Sequence, residues 1–138
     1  MIMGSGIDII EIQRIAAALE SRRFRQRVFT AAEQTYCDSR QTQRVSSYAA
    51  RFAAKEAVMK ALGTGLAGGR WLDIEIVSAV DTKPTVRLTG YFAAIAREMG
   101  TAQIEISLSH CRQFAVAQAI IWGGMNNESC HSRRDASD

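Results

Sequence analysis

The spacing of apolar positions changes period along this chain, and the changes mark its elements. GSGIDII at residues 4–10 is an apolar run that reads as a strand ending near Asp8. A helical period follows. EIQRIAAALES puts Ile12, Ile15, Ala16 and Leu19 on one stripe. SRRFRQRVF reads as a basic surface segment anchored by Phe24, Val28 and Phe29. Thr30 and Glu33 fit a capping box, with Thr30 as N-cap and Glu33 at the third helical position. The main helix is predicted from about Ser46 to Leu62, stopped by Gly63. After GTGLAGGRW the period falls to two. LDIEIVSA alternates Leu72, Ile74 and Ile76 with Asp73 and Glu75, and TVRL returns after the DTKP turn as a hairpin partner. YFAAIAREM at 91–99 is a short amphipathic helix closed by Gly100. QIEISLSH and QFAVAQAII form a second hairpin.

Helices and antiparallel strands are segregated, so the predicted class is α+β, an antiparallel sheet packed on a long helix. There is no βαβ alternation and no G-x-G-x-x-G turn, which argues against a dinucleotide-binding sheet. The 138 residues suit one domain, predicted over 1–122, with 123–138 as a polar disordered tail lacking periodicity. No apolar run approaches the roughly 20 residues that span a bilayer. MIMGSGIDII lacks the basic region and cleavage site of a signal peptide. Cys37, Cys111 and Cys130 are odd in number and without metal-ligand spacing, so a cytoplasmic protein with reduced thiols is expected. The net charge of +3 is uneven. Residues 1–60 carry ten Lys/Arg against six Asp/Glu, and the remainder seven against eight, so +4 and −1. A basic first half suits an anionic partner or an arginine-rich solvated surface.

The helix RFAAKEAVMKALGTG holds the candidate chemistry. Arg51, Lys55, Glu56 and Lys60 interrupt an otherwise small and apolar segment. Residues four apart lie about 40° apart around a helix, so Phe52, Glu56 and Lys60 form one row and Arg51 and Lys55 a neighbouring one. Glu56–Lys60 alone is an ordinary surface pair. Asp8, between Ile7 and Ile9, changes that reading, because a carboxylate there is costly to bury unless paired or metal-bound. If the strand end meets the helix, Asp8 and Glu56 converge. Two carboxylates without His or Cys make a hard oxygen site suited to Mg²⁺, completed by waters and substrate phosphates. Lys60, one turn beyond Glu56, would face those phosphates. The Gly63-Thr64-Gly65 loop can approach a phosphate, although a lone G-x-G is more often a helix stop.

GIDIIEIQRI, FTAAEQTYC, RFAAKEAVMKALGTG and SLSHCRQFAVAQAII, in this order and spacing, resemble the holo-[acyl-carrier-protein] synthases, the short single-domain 4′-phosphopantetheinyl transferases. The resemblance covers about residues 4–122 and implies that family's fold. It implies transfer of the phosphopantetheine arm of coenzyme A to a serine of apo acyl carrier protein, in fatty acid and lipid biosynthesis, with adenosine 3′,5′-bisphosphate as the second product. By motif match it implies Asp8 and Glu56 as Mg²⁺ ligands and Lys60 beside the pyrophosphate. Arg14 is implied to face the carrier protein. Arg51, Gly63, Thr64, Gly65, Ser109 and His110 are implied to touch coenzyme A. It also implies a homotrimer with active sites between subunits. The proton acceptor for the serine stays open between Glu56 and water.

The chain departs from the family pattern at two places: Thr82-Lys83-Pro84 stands where a G-x-P turn is usual, and Cys111 follows the Ser-His pair where an acidic or polar residue is common. Without a His/Asp set, Ser107 and Ser109 read as edge-strand polar positions, and His131 falls in the tail. The alternatives are a non-catalytic module binding coenzyme A or a carrier protein, and a small basic nucleic-acid-binding protein. The second lacks an aromatic stacking platform; neither a nucleic-acid nor a membrane partner is expected.

Overall fold

Two glycines and a run of alanines determine how the main strand meets the main helix. The computed structural model describes residues 1–79 and 81–124. Strand β1 (Ile2–Glu11) lies directly on helix α4 (Arg44–Leu62). Gly4 and Gly6 face that helix, and a Cβ at either position would overlap the carbonyl oxygen of Ala61 or Ala57. Only glycine permits so close a backbone approach. The period of two then puts Asp8 on the same side of β1 as Gly4 and Gly6. Its side chain is 15% exposed, whereas Ile7 and Ile9 on the other side are 62% and 64% exposed.

Between β1 and α4 come helices α1 (Ile12–Ala18), α2 (Arg22–Val28) and α3 (Ala31–Asp38), with a 3₁₀ turn at Gln41–Gln43. A second 3₁₀ turn, Trp71–Asp73, leads into β2 (Ile74–Val77), followed by β3 (Thr85–Leu88), helix α5 (Gly90–Glu98), β4 (Thr101–His110) and β5 (Phe114–Gly123). The larger sheet is antiparallel with order β1-β5-β4, and β2 pairs with β3 in a separate hairpin. Asp8 stands opposite Ala117, and His110 opposite Ala115. The inner side of β5, with Ala115, Ala117, Ala119 and Ile121, is buried, as are Ala53, Ala54, Ala57 and Ala61 of α4. Small residues on both sides let helix and sheet pack tightly. The expected α+β class and both hairpins are present.

Three expectations need correction. β1 does not end near Asp8; it runs to Glu11 because β5 pairs with it from Phe114 onward. SRRFRQRV, expected only as a basic surface segment, forms helix α2, capped by Ser21 Oγ accepting from Phe24 N at 3.2 Å. Its expected anchors Val28 and Phe29 are buried. β5 extends through Gly123, one residue past the expected domain end. Residues 125–138, with Cys130 and His131, lie outside the described residues.

Lys55 and Arg51, two of the charges that interrupt α4, have partners inside the fold. Both are buried. Lys55 Nζ donates to Glu33 Oε1 at 2.7 Å, to Val28 O at 2.7 Å and to Trp71 O at 3.1 Å. Glu33 also closes the predicted capping box, accepting from Thr30 N at 2.8 Å, and its other oxygen accepts from Ile76 N at 2.9 Å. This ion pair joins α3, α4, the 3₁₀ turn at Trp71 and β2.

Candidate active site

Asp8 and Glu56 converge, as the sequence implies. Both line one cavity of about 320 Å³ together with Arg14, Ile15, Phe24 and Phe52. Lys60 Nζ reaches back to β1, donating to Asp8 Oδ1 at 3.0 Å and to Ile7 O at 3.0 Å. It pairs with Asp8 across the strand–helix contact rather than with Glu56 along the helix. The Glu56 carboxyl is pushed above the usual carboxylate range, first by burial and then by the Asp8 charge, with Lys60 opposing. A cation between the two carboxylates would relieve that repulsion.

The donor set fits a hard divalent cation. Among the described residues no group of three or more His, Cys, Asp and Glu is placed to hold a metal, so protein oxygen ligation at this cavity rests on the pair Asp8 and Glu56. Mg²⁺ characteristically accepts one or two carboxylates and completes its shell from water and substrate phosphate.

The remaining expected residues fall elsewhere. Arg51, Ser109 and His110 line a second cleft of about 360 Å³ with Tyr36, Arg40 and Lys83. Arg51 Nη2 donates to Ser78 Oγ at 2.7 Å and Nη1 to Ser47 O at 3.3 Å, while Nε has no partner among the described residues. The loop 63–65 lines neither cavity. Gly63, at φ +78°, ends α4 by donating to Met59 O at 2.9 Å, and Thr64 Oγ1 bonds Gly65 O at 2.9 Å. Sequence reasoning missed Tyr36 and Arg40. Their spacing of four on α3 and its exit was a signal, but nothing local tied them to Arg51, which approaches from α4. Cys111, beside His110, is exposed, and backbone amides at Gln113 and Phe114 hold its thiol below the usual range. Burial pushes Cys37 up to about 12.

A carboxylate pair at a cavity wall, a lysine one turn away and a separate cationic cleft suit phosphoryl-group chemistry on a polyanion. The chain belongs to the 4′-phosphopantetheinyl transferase superfamily, whose sequence pattern matches residues 4–119. It is 50% identical over 119 residues to the holo-[acyl-carrier-protein] synthase of Ruminiclostridium cellulolyticum, covering 84% of this chain and 89% of the relative. The holo-(acyl-carrier-protein) synthase of Bacillus anthracis, solved in complex with CoA (3′,5′-ADP), superposes with a TM-score of 0.74 at 34% identity, over 90% of this chain and 99% of that one. The Helicobacter pylori holo-[acyl-carrier-protein] synthase, solved with coenzyme A, gives 0.74 at 29% identity, over 86% and 99%. No helix among the described residues is long and apolar enough to cross a membrane.

Proposed function

We propose that this chain transfers the 4′-phosphopantetheine group of coenzyme A to a serine of apo acyl carrier protein, with Mg²⁺ held by Asp8 and Glu56. The observation that carries the reading is the meeting of Asp8, Glu56 and Lys60 at one strand–helix contact, in a chain of this superfamily. The carrier serine oxygen forms a bond to the pantetheine-bearing phosphorus as its hydroxyl proton passes to Glu56 or to water. The anhydride bond breaks, and adenosine 3′,5′-bisphosphate leaves. Mg²⁺, when bound, supplies Lewis-acid neutralisation and a template for the pyrophosphate oxygens. Lys60, held by Asp8 and the Ile7 carbonyl, places an ammonium where negative charge grows on the leaving phosphate. Phe24 and Phe52 wall the cavity. Arg14, exposed at its rim, presents a positive charge to an acidic carrier protein.

Coenzyme A carries three phosphates, two in the reacting pyrophosphate and one on the 3′-oxygen of its ribose. The carboxylate pair and Lys60 suit the reacting pyrophosphate. The cleft with Arg40, Arg51, Lys83 and His110 suits the 3′-phosphate at the nucleotide end, with Ser109 as a further donor. These are separate cavities within one chain, and the exposed Ile7 and Ile9 leave an apolar face on the sheet. Both features support a homotrimer whose subunits bring the cavities together. Light scattering is expected to give three times the 15.2 kDa chain mass, and a monomer at assay concentration would exclude the shared-site arrangement. Cys37 and Cys111 are free thiols, in keeping with a cytoplasmic location.

The test of activity is intact-mass spectrometry of apo acyl carrier protein incubated with this protein, coenzyme A and Mg²⁺. The expected result is a gain of one phosphopantetheine arm that EDTA abolishes. Arg14→Glu is expected to raise the KM for carrier protein and leave that for coenzyme A unchanged. Tight coenzyme A binding without transfer to any of several carrier proteins would favour a non-catalytic binding module.

A further inference from the structure

We infer that Tyr36 is a positioning residue that sets donor preference by holding the two arginines of the second cleft. The inference rests on the reading that this cleft takes the 3′-phosphate of coenzyme A. Tyr36 is on α3, Arg40 just beyond it, and Arg51 on α4; all three line the cleft. The Arg51 guanidinium lies 4.6 Å from the centre of the Tyr36 ring and that of Arg40 lies 5.7 Å from it. Both separations are within cation–π range.

The charge balance makes the ring necessary. Arg51 is 7% exposed, yet neither it nor Arg40 forms an ion pair with a carboxylate among the described residues. A buried arginine without a carboxylate is unfavourable unless other groups meet it. Arg51 meets Ser78 Oγ, the Ser47 carbonyl and the face of Tyr36, all uncharged. Arg40 meets Gln43 Oε1 at 2.8 Å and the same ring. The cleft therefore keeps two positive charges without a carboxylate around one ring, and the aromatic system stabilises them without cancelling them. A carboxylate in that place would neutralise the site. An aliphatic residue would take away the ring on which both guanidiniums rest and leave Arg40 held by Gln43 alone.

The experiment compares wild type, Tyr36→Phe and Tyr36→Leu with two donors, coenzyme A and 3′-dephospho-coenzyme A, at saturating apo carrier protein and Mg²⁺. Wild type is expected to show the lower KM for coenzyme A. Tyr36→Phe keeps the ring and should keep that preference. Tyr36→Leu should raise the KM for coenzyme A about tenfold and leave kcat and the KM for the dephospho donor within about twofold, which erases the preference. A Tyr36→Leu protein that retains the preference, or that loses activity equally with both donors, overturns the role given to Tyr36. A wild type that treats the two donors alike overturns the assignment of the cleft as well.

Discussion

Glu56→Gln is expected to lower the rate of phosphopantetheine transfer by about 10²–10³-fold or more, the scale of removing one preorganised electrostatic group from a charge-stabilising site. The replacement is nearly isosteric. It removes one of the two carboxylates at the cavity, and the acyclic amide that remains is a weaker ligand for a hard cation. Stability should move the other way. Burial and the Asp8 charge raise the Glu56 carboxyl above its ordinary range in the folded chain. The folded protein therefore binds that proton more tightly than the unfolded one, and stability falls as pH rises through the window between the two values. Glutamine removes that loss. In EDTA, the variant should be at least as stable as wild type at neutral pH, and any gain should vanish in acid. A variant with unchanged transfer rate would remove Glu56 from the metal site. A variant that unfolds more readily at neutral pH would show that Glu56 is structural instead.

Much of the candidate site was legible because its signals are local in sequence. The capping box at Thr30–Glu33, the glycine stop at Gly63 and the conflict of Asp8 with its isoleucine neighbours are all contained within a few residues. The convergence of Asp8 and Glu56 was an inference about packing. Its physical basis, Gly4 and Gly6 admitting the backbone of α4, was present in the sequence as GSG but carried no distance. What was not legible depends on long-range partners. Strand β1 continues past Asp8 because β5 supplies hydrogen bonds more than a hundred residues away. Helix α2 has a basic surface that masks its period, and its apolar side is met by rings arriving from α4, Phe52 at Phe24 and Tyr48 at Phe29. Tyr36 reads as an ordinary helical tyrosine until Arg51 is brought over its ring. Lys55 and Arg51 shared a helical row in the sequence, but only the fold reveals that Lys55 faces Glu33 and that Arg51 faces a cleft.

Lys55→Met is expected to destabilise the fold by about 3–5 kcal/mol, the cost of breaking a buried ion pair by removing one partner. For a chain of this size that is a fall in Tm on the order of 10–20 °C. Both side chains are 0% exposed, so solvent does not screen the pair. Methionine fills the aliphatic volume of lysine but leaves Glu33 without its cation and the Val28 carbonyl without a donor, while Trp71 O keeps only its bond from Ile74 N. Restoring neutrality by also changing Glu33 should not recover the loss, in contrast to buried pairs whose only partners are each other. Glu33 accepts from Thr30 N and Ile76 N as well as from Lys55, so Lys55→Met/Glu33→Leu would leave the buried Ile76 N–H and the half-buried Thr30 N–H unpaired in addition to the Val28 carbonyl. Unmade buried hydrogen bonds cost about 1–3 kcal/mol each. Urea unfolding of the wild type, the two single variants and the double variant forms a cycle that separates these contributions. A double variant as stable as wild type would mean that the pair is dispensable once neutralised. A double variant at least as unstable as either single one would mean that Glu33 and Lys55 act as a four-element junction, fixing the rotation of α4 that turns Glu56 toward Asp8.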